Sequence, residues 1–261
     1  MNTIARLLEQ RSVGELTLRV ERGGPKIIRE SGATKCRIPK GGHEAILINT
    51  SGGLAGGDEV KINATVGENA MFALTSQTAE RVYGSLGPPA NVKVALTAEA
   101  GSVLFWLPQE TILFENSALH RELDVELSVG ASFLAVEPLV FGRHEMGEDL
   151  HRLELSDRWM IKCDGVLLHA ERLKLGPELP HSMASLGNFR AMATVLFISP
   201  EAEARLDAVR GSLSENDGAS AWNGKLVARL IAKDGFHLRK TLIKVLNACV
   251  GQNKMPKTWA F

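Results

Sequence analysis

The stretch INTSGGLAGGDEV, Ile48 to Val60, holds Gly52, Gly53, Gly56 and Gly57, followed at once by Asp58 and Glu59. Such a run could cradle a phosphate, hold a metal or simply turn the chain. A phosphate-binding P-loop needs a lysine and a hydroxyl after its glycines, and Asp58 has the wrong sign. A dinucleotide fingerprint needs a helix to follow, whereas DEVKINATV alternates as a strand. The residues themselves predict a tight glycine turn between two strands. A second group, HEMGEDLH, places His144, Glu145, Glu148, Asp149 and His151 within one short loop. Imidazole and carboxylate suit Ni, Zn or Fe, but the spacing matches no helical or strand face, so a polar loop is the plainer expectation. His43, His120, His169, His181 and His237 stand singly and are expected at the surface or the edge of the core.

Two acids sit in apolar surroundings: Glu110 beside Gln109 in LPQETILFENS, and Glu171 beside Arg172 in LLHAERLKL. An acid there is costly unless it is paired, hydrogen-bonded or facing a wet cavity. One reading is a buried Glu–Arg pair or a strand end, and the other is an acid-lined internal passage. Thr75, Ser76 and Thr78 have no histidine or other base close in sequence, and no G-x-S-x-G elbow occurs.

The elements that must position these groups are mostly strands. GELTLRVE, VKINATV, NVKVALTAE and RELDVELSV alternate apolar and polar residues with a period of two. SVLFWLP is apolar almost throughout, which predicts a strand covered on both faces. VGENAMFALTS, EAGSVLFWLPQ and SVGASFLAVEP each put a glycine turn shortly before an apolar strand. A turn-then-strand unit recurring at about 30 residues predicts stacked sheets, either solenoid-like or a sandwich. From Ser199 the pattern changes. SPEAEARLDAVRGSLS has Ser199 as N-cap, Pro200 at the first helical position and Ala202, Leu206, Val209 and Leu213 on one face, which predicts a helix. SENDGAS reads as a loop and NGKLVARLIA as a strand. DGFHLRKTLIKVLNACVG reads as a second helix with Phe236, Leu242, Val245, Leu246 and Cys249 as its apolar stripe. The expectation is one mainly β domain over 1–261, with a β-rich core at about 14–198 and two α-helices in the remaining 199–261.

Bulk properties narrow the function classes. Lys plus Arg and Asp plus Glu are both 30 in 261 residues, so no basic excess favours a nucleic acid backbone. No apolar run is long enough to span a bilayer, and MNTIARLLEQRSVG lacks a signal-peptide core, so a cytoplasmic protein without a membrane partner is expected. Cys36, Cys163 and Cys249 show no C-x-x-C spacing and are expected to be small buried apolar residues.

Taken together, LINTSGGLAGGDEV, LTSQTAERVYGS, GSVLFWLPQETILFENS, FGRHEMGE, LLHAERLKL and the terminal PKTWAF resemble the UreD (UreH) family of urease accessory proteins, in the same order along the chain. The resemblance implies a β-helix-like stack of strands with two helices, and a non-enzymatic chaperone of nitrogen compound metabolism. It implies binding to apo-urease, recruitment of UreF and the GTPase UreG, and nickel insertion at the carbamylated lysine site of urease. No tightly bound cofactor is implied, only nickel in transit through an internal tunnel. Carried over by motif position, the acids of that route would be Asp58, Glu137 and Glu171, with Gly52, Gly53, Gly56, Gly57, Gln109, Glu110 and Arg172 as further motif positions. Many relatives read N-P-P-G-G-L where this chain has Asn49, Thr50 and Ser51, which leaves the glycines and Asp58 unchanged. Gly142, Arg143, Gly147 and Glu148 fit the family pattern, whereas His144 and His151 do not belong to it. The competing expectation is a β-solenoid enzyme acting on carbohydrate, with Glu110 and Glu115 or Asp58 and Glu59 as acid and base. The aromatic fraction of 5% argues against it, because sugar platforms want exposed aromatics.

Overall fold

The computed structural model describes residues 11–143, 147, 150–178, 186–251 and 255–259. In chain order the strands are β1 (Val13–Glu21), β2 (Gly24–Gly32), β3 (Thr34–Arg37), β4 (Glu44–Asn49), β5 (Glu59–Val66), β6 (Met71–Ser76), β7 (Glu80–Val82), β8 (Ala90–Ala98) and β9 (Val103–Leu107). Then follow β10 (Thr111–Leu113), β11 (Ser117–Leu127), β12 (Ser132–Phe141), β13 (Leu153–Cys163), β14 (Val166–Leu175), β15 (Ala191–Ile198), β16 (Gly218–Trp222) and β17 (Lys225–Ala232). Two α-helices, α1 (Leu206–Arg210) and α2 (Gly235–Val250), lie in the C-terminal part.

Parallel pairing makes this a coil rather than a simple sandwich. β1, β5, β8, β11 and β13 pair in parallel within a seven-stranded sheet, closed by antiparallel β2 and β14. β4, β6, β9 and β12 pair in parallel within the opposing ten-stranded sheet, which β15, β17 and β16 continue antiparallel. A short third ladder runs Leu54, Val82, Leu113, Phe141 through β7, β10 and the end of β12, each residue about 30 positions after the last. Every coil therefore gives one strand to each face. The turns between faces also stack: Asn69 N–H donates to Ala100 O, and Ser128 N–H to Ala98 O.

Alternation fills the space between the sheets. Leu16 and Leu18, Ile62 and Ala64, Val94 and Leu96, Leu123 and Val125, and Trp159 and Ile161 meet Phe72, Leu74, Leu104, Trp106 and Phe133 from the other side. The apolar run of β9 is covered on both faces as expected, with Leu104 and Trp106 inward and Phe105 and Leu107 under the helices. Asp164 and Asn223 take positive φ with the glycines that follow them, giving the tight β13–β14 and β16–β17 hairpins.

The helical part differs from expectation in three places. The segment after Ser199 is a 3-10 turn, Glu203–Arg205, running into the short α1; Ala202 and Val209 are buried and Leu206 and Leu213 partly so. In α2 the buried stripe is Leu238, Leu242, Val245, Leu246 and Cys249, while Phe236 is 73% exposed. Leu242 comes six positions after Phe236, so the two point to different sides of a 3.6-residue turn. Part of SENDGAS is the start of β16 rather than loop. Among the described residues no helix is long and apolar enough to cross a membrane.

Candidate functional site

The glycine run first brings Asp58 into place. Gly53 and Gly57 have φ of +151° and +83°, and a Cβ on Gly53 would lie 2.8 Å from Arg81 O, so the turn requires glycine there. Asp58 closes this turn: its Oδ1 accepts from Ser12 N–H at 2.8 Å and its Oδ2 from Ala55 N–H at 2.7 Å. With both oxygens bound to backbone amides, Asp58 is not among the residues lining either internal cavity described below. Its charge still reaches Glu80 of the outer cavity, where it adds to the burial that pushes that carboxyl up. Glu59, one residue on, points outward and is exposed, so the two do not form an acid pair.

The motif WLPQET and the C-terminal PKTW, which look unrelated in sequence, are one structure. Arg239 on α2 donates through Nη1 to Gln109 Oε1 at 2.6 Å and Glu110 Oε1 at 3.0 Å, and through Nη2 to Thr258 O at 2.8 Å. Its guanidinium lies 4.8 Å from the centre of the Trp259 ring, and Trp259 Nε1 donates to Leu107 O at 2.8 Å. Glu110 is thus the acid of a partly buried ion pair, with Arg239 as partner. Glu115 accepts from the amides of His151 and Arg152. The proposed Glu110–Glu115 acid–base pair is replaced by two structural contacts.

Inside the coil lie two cavities that share Glu137. The first, about 190 Å3, opens where Gln77 and Thr78 are exposed and passes Glu80, Trp106, Gln109 and Thr111 to reach Arg121 and Glu137. The second, about 30 Å3, lies between Glu137, Asp157, Glu171, Thr194 and Arg229. That is room for a water or an ion with little to spare.

Arg121 lines the first cavity, Asp157 the second and Glu137 both, and all three are nearly fully buried. Arg121 and Asp157 are register partners on β11 and β13, and Nη2 donates to Asp157 Oδ2 at 2.6 Å. Arg121 Nη1 donates to Thr111 Oγ1 at 3.2 Å and lies 2.6 Å from Glu137 Oε2, an ion pair without hydrogen-bond alignment. Glu137 comes from β12 in the opposite sheet, and Trp106 Nε1 donates to its Oε1 at 2.8 Å. Burial pushes the Glu137 carboxyl above its ordinary range, opposed by Arg121 and reinforced by the nearby Asp157 charge. Burial pulls the Arg121 guanidinium down, but Asp157 and Glu137 outweigh this and hold it above its usual value. Glu137 Oε2, Asp157 Oδ1 and Arg121 Nε are buried without a hydrogen-bond partner among the described residues.

Each cavity carries a further acid. Glu80, at the outer cavity, accepts from Asn49 Nδ2 and from Arg81 N–H, and burial raises its pKa against those bonds. Glu171, on β14, accepts from Arg229 Nη2 at 2.7 Å; Arg229 also donates to Thr194. Arg172 points to the outer face, so Glu171 pairs with Arg229 and not with its chain neighbour.

The model of the UreD urease accessory protein family matches residues 12–260. The chain belongs to the UreD family. Urease accessory protein UreD 1 of Brucella anthropi is 43% identical over 278 aligned residues, covering 100% of this chain and 98% of that protein. Urease accessory protein UreD of Mesorhizobium japonicum is 42% identical, covering 88% of this chain and 86% of its own, and UreD 1 of Brucella ovis is 41% identical, covering 99% and 97%.

Of the acids that the UreD resemblance singled out, the structure brings Glu137 and Glu171 to one cavity and leaves Asp58 in its turn. Sequence reasoning missed Arg121, Asp157, Glu80, Thr194 and Arg229. Two of these left a legible signal. Arg121 occupies the apolar phase of β11 with Leu119, Leu123 and Val125, and Asp157 that of β13 with Leu155, Trp159 and Ile161. A charge in the buried phase of an alternating strand asks for an internal partner. His144, Glu145, Glu148 and Asp149 of HEMGEDLH lie outside the described residues.

Proposed function

We propose that this chain is a urease maturation chaperone that binds apo-urease, works with UreF and the GTPase UreG, and passes nickel through its interior to the urease active site. Membership of the UreD family supports the maturation role. The observation that supports an internal route is the pair of cavities sharing Glu137, with Glu80 lining one and Glu171 the other. Carboxylates along such a route attract a dication without binding it tightly, as release requires. Arg121 and Arg229 balance the acids of the empty route, which spares the coil an uncompensated buried charge. Its role is accessory and non-catalytic, with nickel as cargo.

The test is urease activation with and without the chain. Urease from a strain lacking it is expected to be assembled but poor in nickel. Normal nickel content and activity would defeat the chaperone reading. For the route itself, Glu171→Ala is expected to lower urease nickel while pull-down of the complex persists, and loss of the complex would assign Glu171 a structural role instead.

A further inference from the structure

On β14 the second cavity is lined by Glu171 and Leu173, and His169, two residues earlier on the same face, stands beside Glu171 without lining the cavity itself. The period of two puts 169, 171 and 173 on the inner face of that strand. His169 is 8% exposed, and its Nε2 is buried with no hydrogen-bond partner among the described residues. A histidine serving only to pack would be expected to satisfy that nitrogen. Glu171 Oε2 lies 3.7 Å from it, too far for a hydrogen bond and close to the spacing of two ligands on one metal.

We propose that His169 Nε2 and Glu171 Oε2 form a two-donor landing site for a divalent transition-metal cation at the β14 end of the internal route, an inference that rests on the nickel-passage reading above. Donors about 2.1 Å from a common metal stand about 3.0 to 3.4 Å apart, so a side-chain shift of less than about 1 Å closes the site. In the tautomer with the proton on Nδ1, the Nε2 lone pair is the ligand. Among the described residues, imidazole is what the linings of the two cavities lack. Carboxylates alone accept Mg2+ and Ca2+, whereas a nitrogen donor favours Ni2+, Co2+ and Zn2+, so His169 supplies selection by metal class. Among the described residues no three His, Cys, Asp or Glu side chains gather to hold a metal, so water completes the shell and the cation stays exchangeable. Arg229 keeps the place in the empty state. Its Nη2 is 2.7 Å from the same Glu171 oxygen, and its side chain is 53% exposed, so it can swing to solvent when a cation arrives.

The purified full chain, titrated with Ni2+ alone, tests this. Histidine ring protons followed by NMR should show His169 broadened by substoichiometric Ni2+. His169→Asn should weaken one site in equilibrium dialysis by about ten-fold or more at unchanged melting temperature. Arg229→Gln should tighten that site by removing its competitor, and excess Mg2+ should not displace the Ni2+. Unbroadened His169 signals at equimolar Ni2+, or wild-type Ni2+ affinity in His169→Asn, would overturn the proposal. These readings concern the isolated chain, so their failure is distinct from failure of the chaperone reading, which the deletion strain judges alone.

Discussion

At the scale of single residues, two acids with similar motif standing do different work. Asp58 binds two partly buried backbone amides that would otherwise lose these acceptors. Glu137 faces a cavity, with one oxygen on Trp106 and the other against Arg121. Asp58→Ala is therefore expected to destabilise the chain by about 1–3 kcal/mol and to lower the yield of any urease complex. A variant with wild-type melting temperature but nickel-poor urease would return Asp58 to the route. Reading adjacent residues as partners fails here for a geometric reason. Neighbours on a strand face opposite ways, so Glu171 and Arg172 cannot meet, while Glu171 and Arg229 can although they lie on different sheets.

At the scale of elements, the C-terminal segment acts as a strap. Trp259 is buried against the outer face of the ten-stranded sheet, Thr258 shares a hydrogen bond with Thr75, and Lys257 N–H donates to Glu44. All three contacts span most of the chain length, so the strap clamps the first coils to α2. Trp259→Ala removes a large buried ring and the Leu107 hydrogen bond, and should cost about 3–5 kcal/mol by denaturant unfolding. Arg239→Lys keeps the charge but loses the fork that reaches Gln109, Glu110 and Thr258 together, and a measurable fall in stability is expected there too. Glycine turns are the other legible elements. Their spacing announced the coil, because each coil must turn at a matching position for its strands to stack in register.

At the scale of the whole molecule, both faces of the ten-stranded sheet are buried, one against the coil interior and one under the helices. The cysteines report on that packing. Burial pushes the Cys36 thiol up to about 11 and Cys249 up to about 12, leaving both protonated at neutral pH, while Cys163 is only partly buried. Alkylation of the native chain with iodoacetamide should modify Cys163 first, with Cys36 and Cys249 reacting only on unfolding. Early labelling of Cys249 would mean that α2 does not stay docked. The sequence by itself determined the strand periods, the glycine turns, the coil repeat and the family motifs, since these depend on residues within a few positions of one another. Tertiary structure alone decided that Arg121 and Asp157 meet Glu137, that Glu171 pairs with Arg229 beside His169, and that Asp58 serves a turn. Those contacts join residues tens of positions apart on facing sheets. Which side chains meet there depends on register and on the packing of one sheet against the other, and a single sequence does not state either.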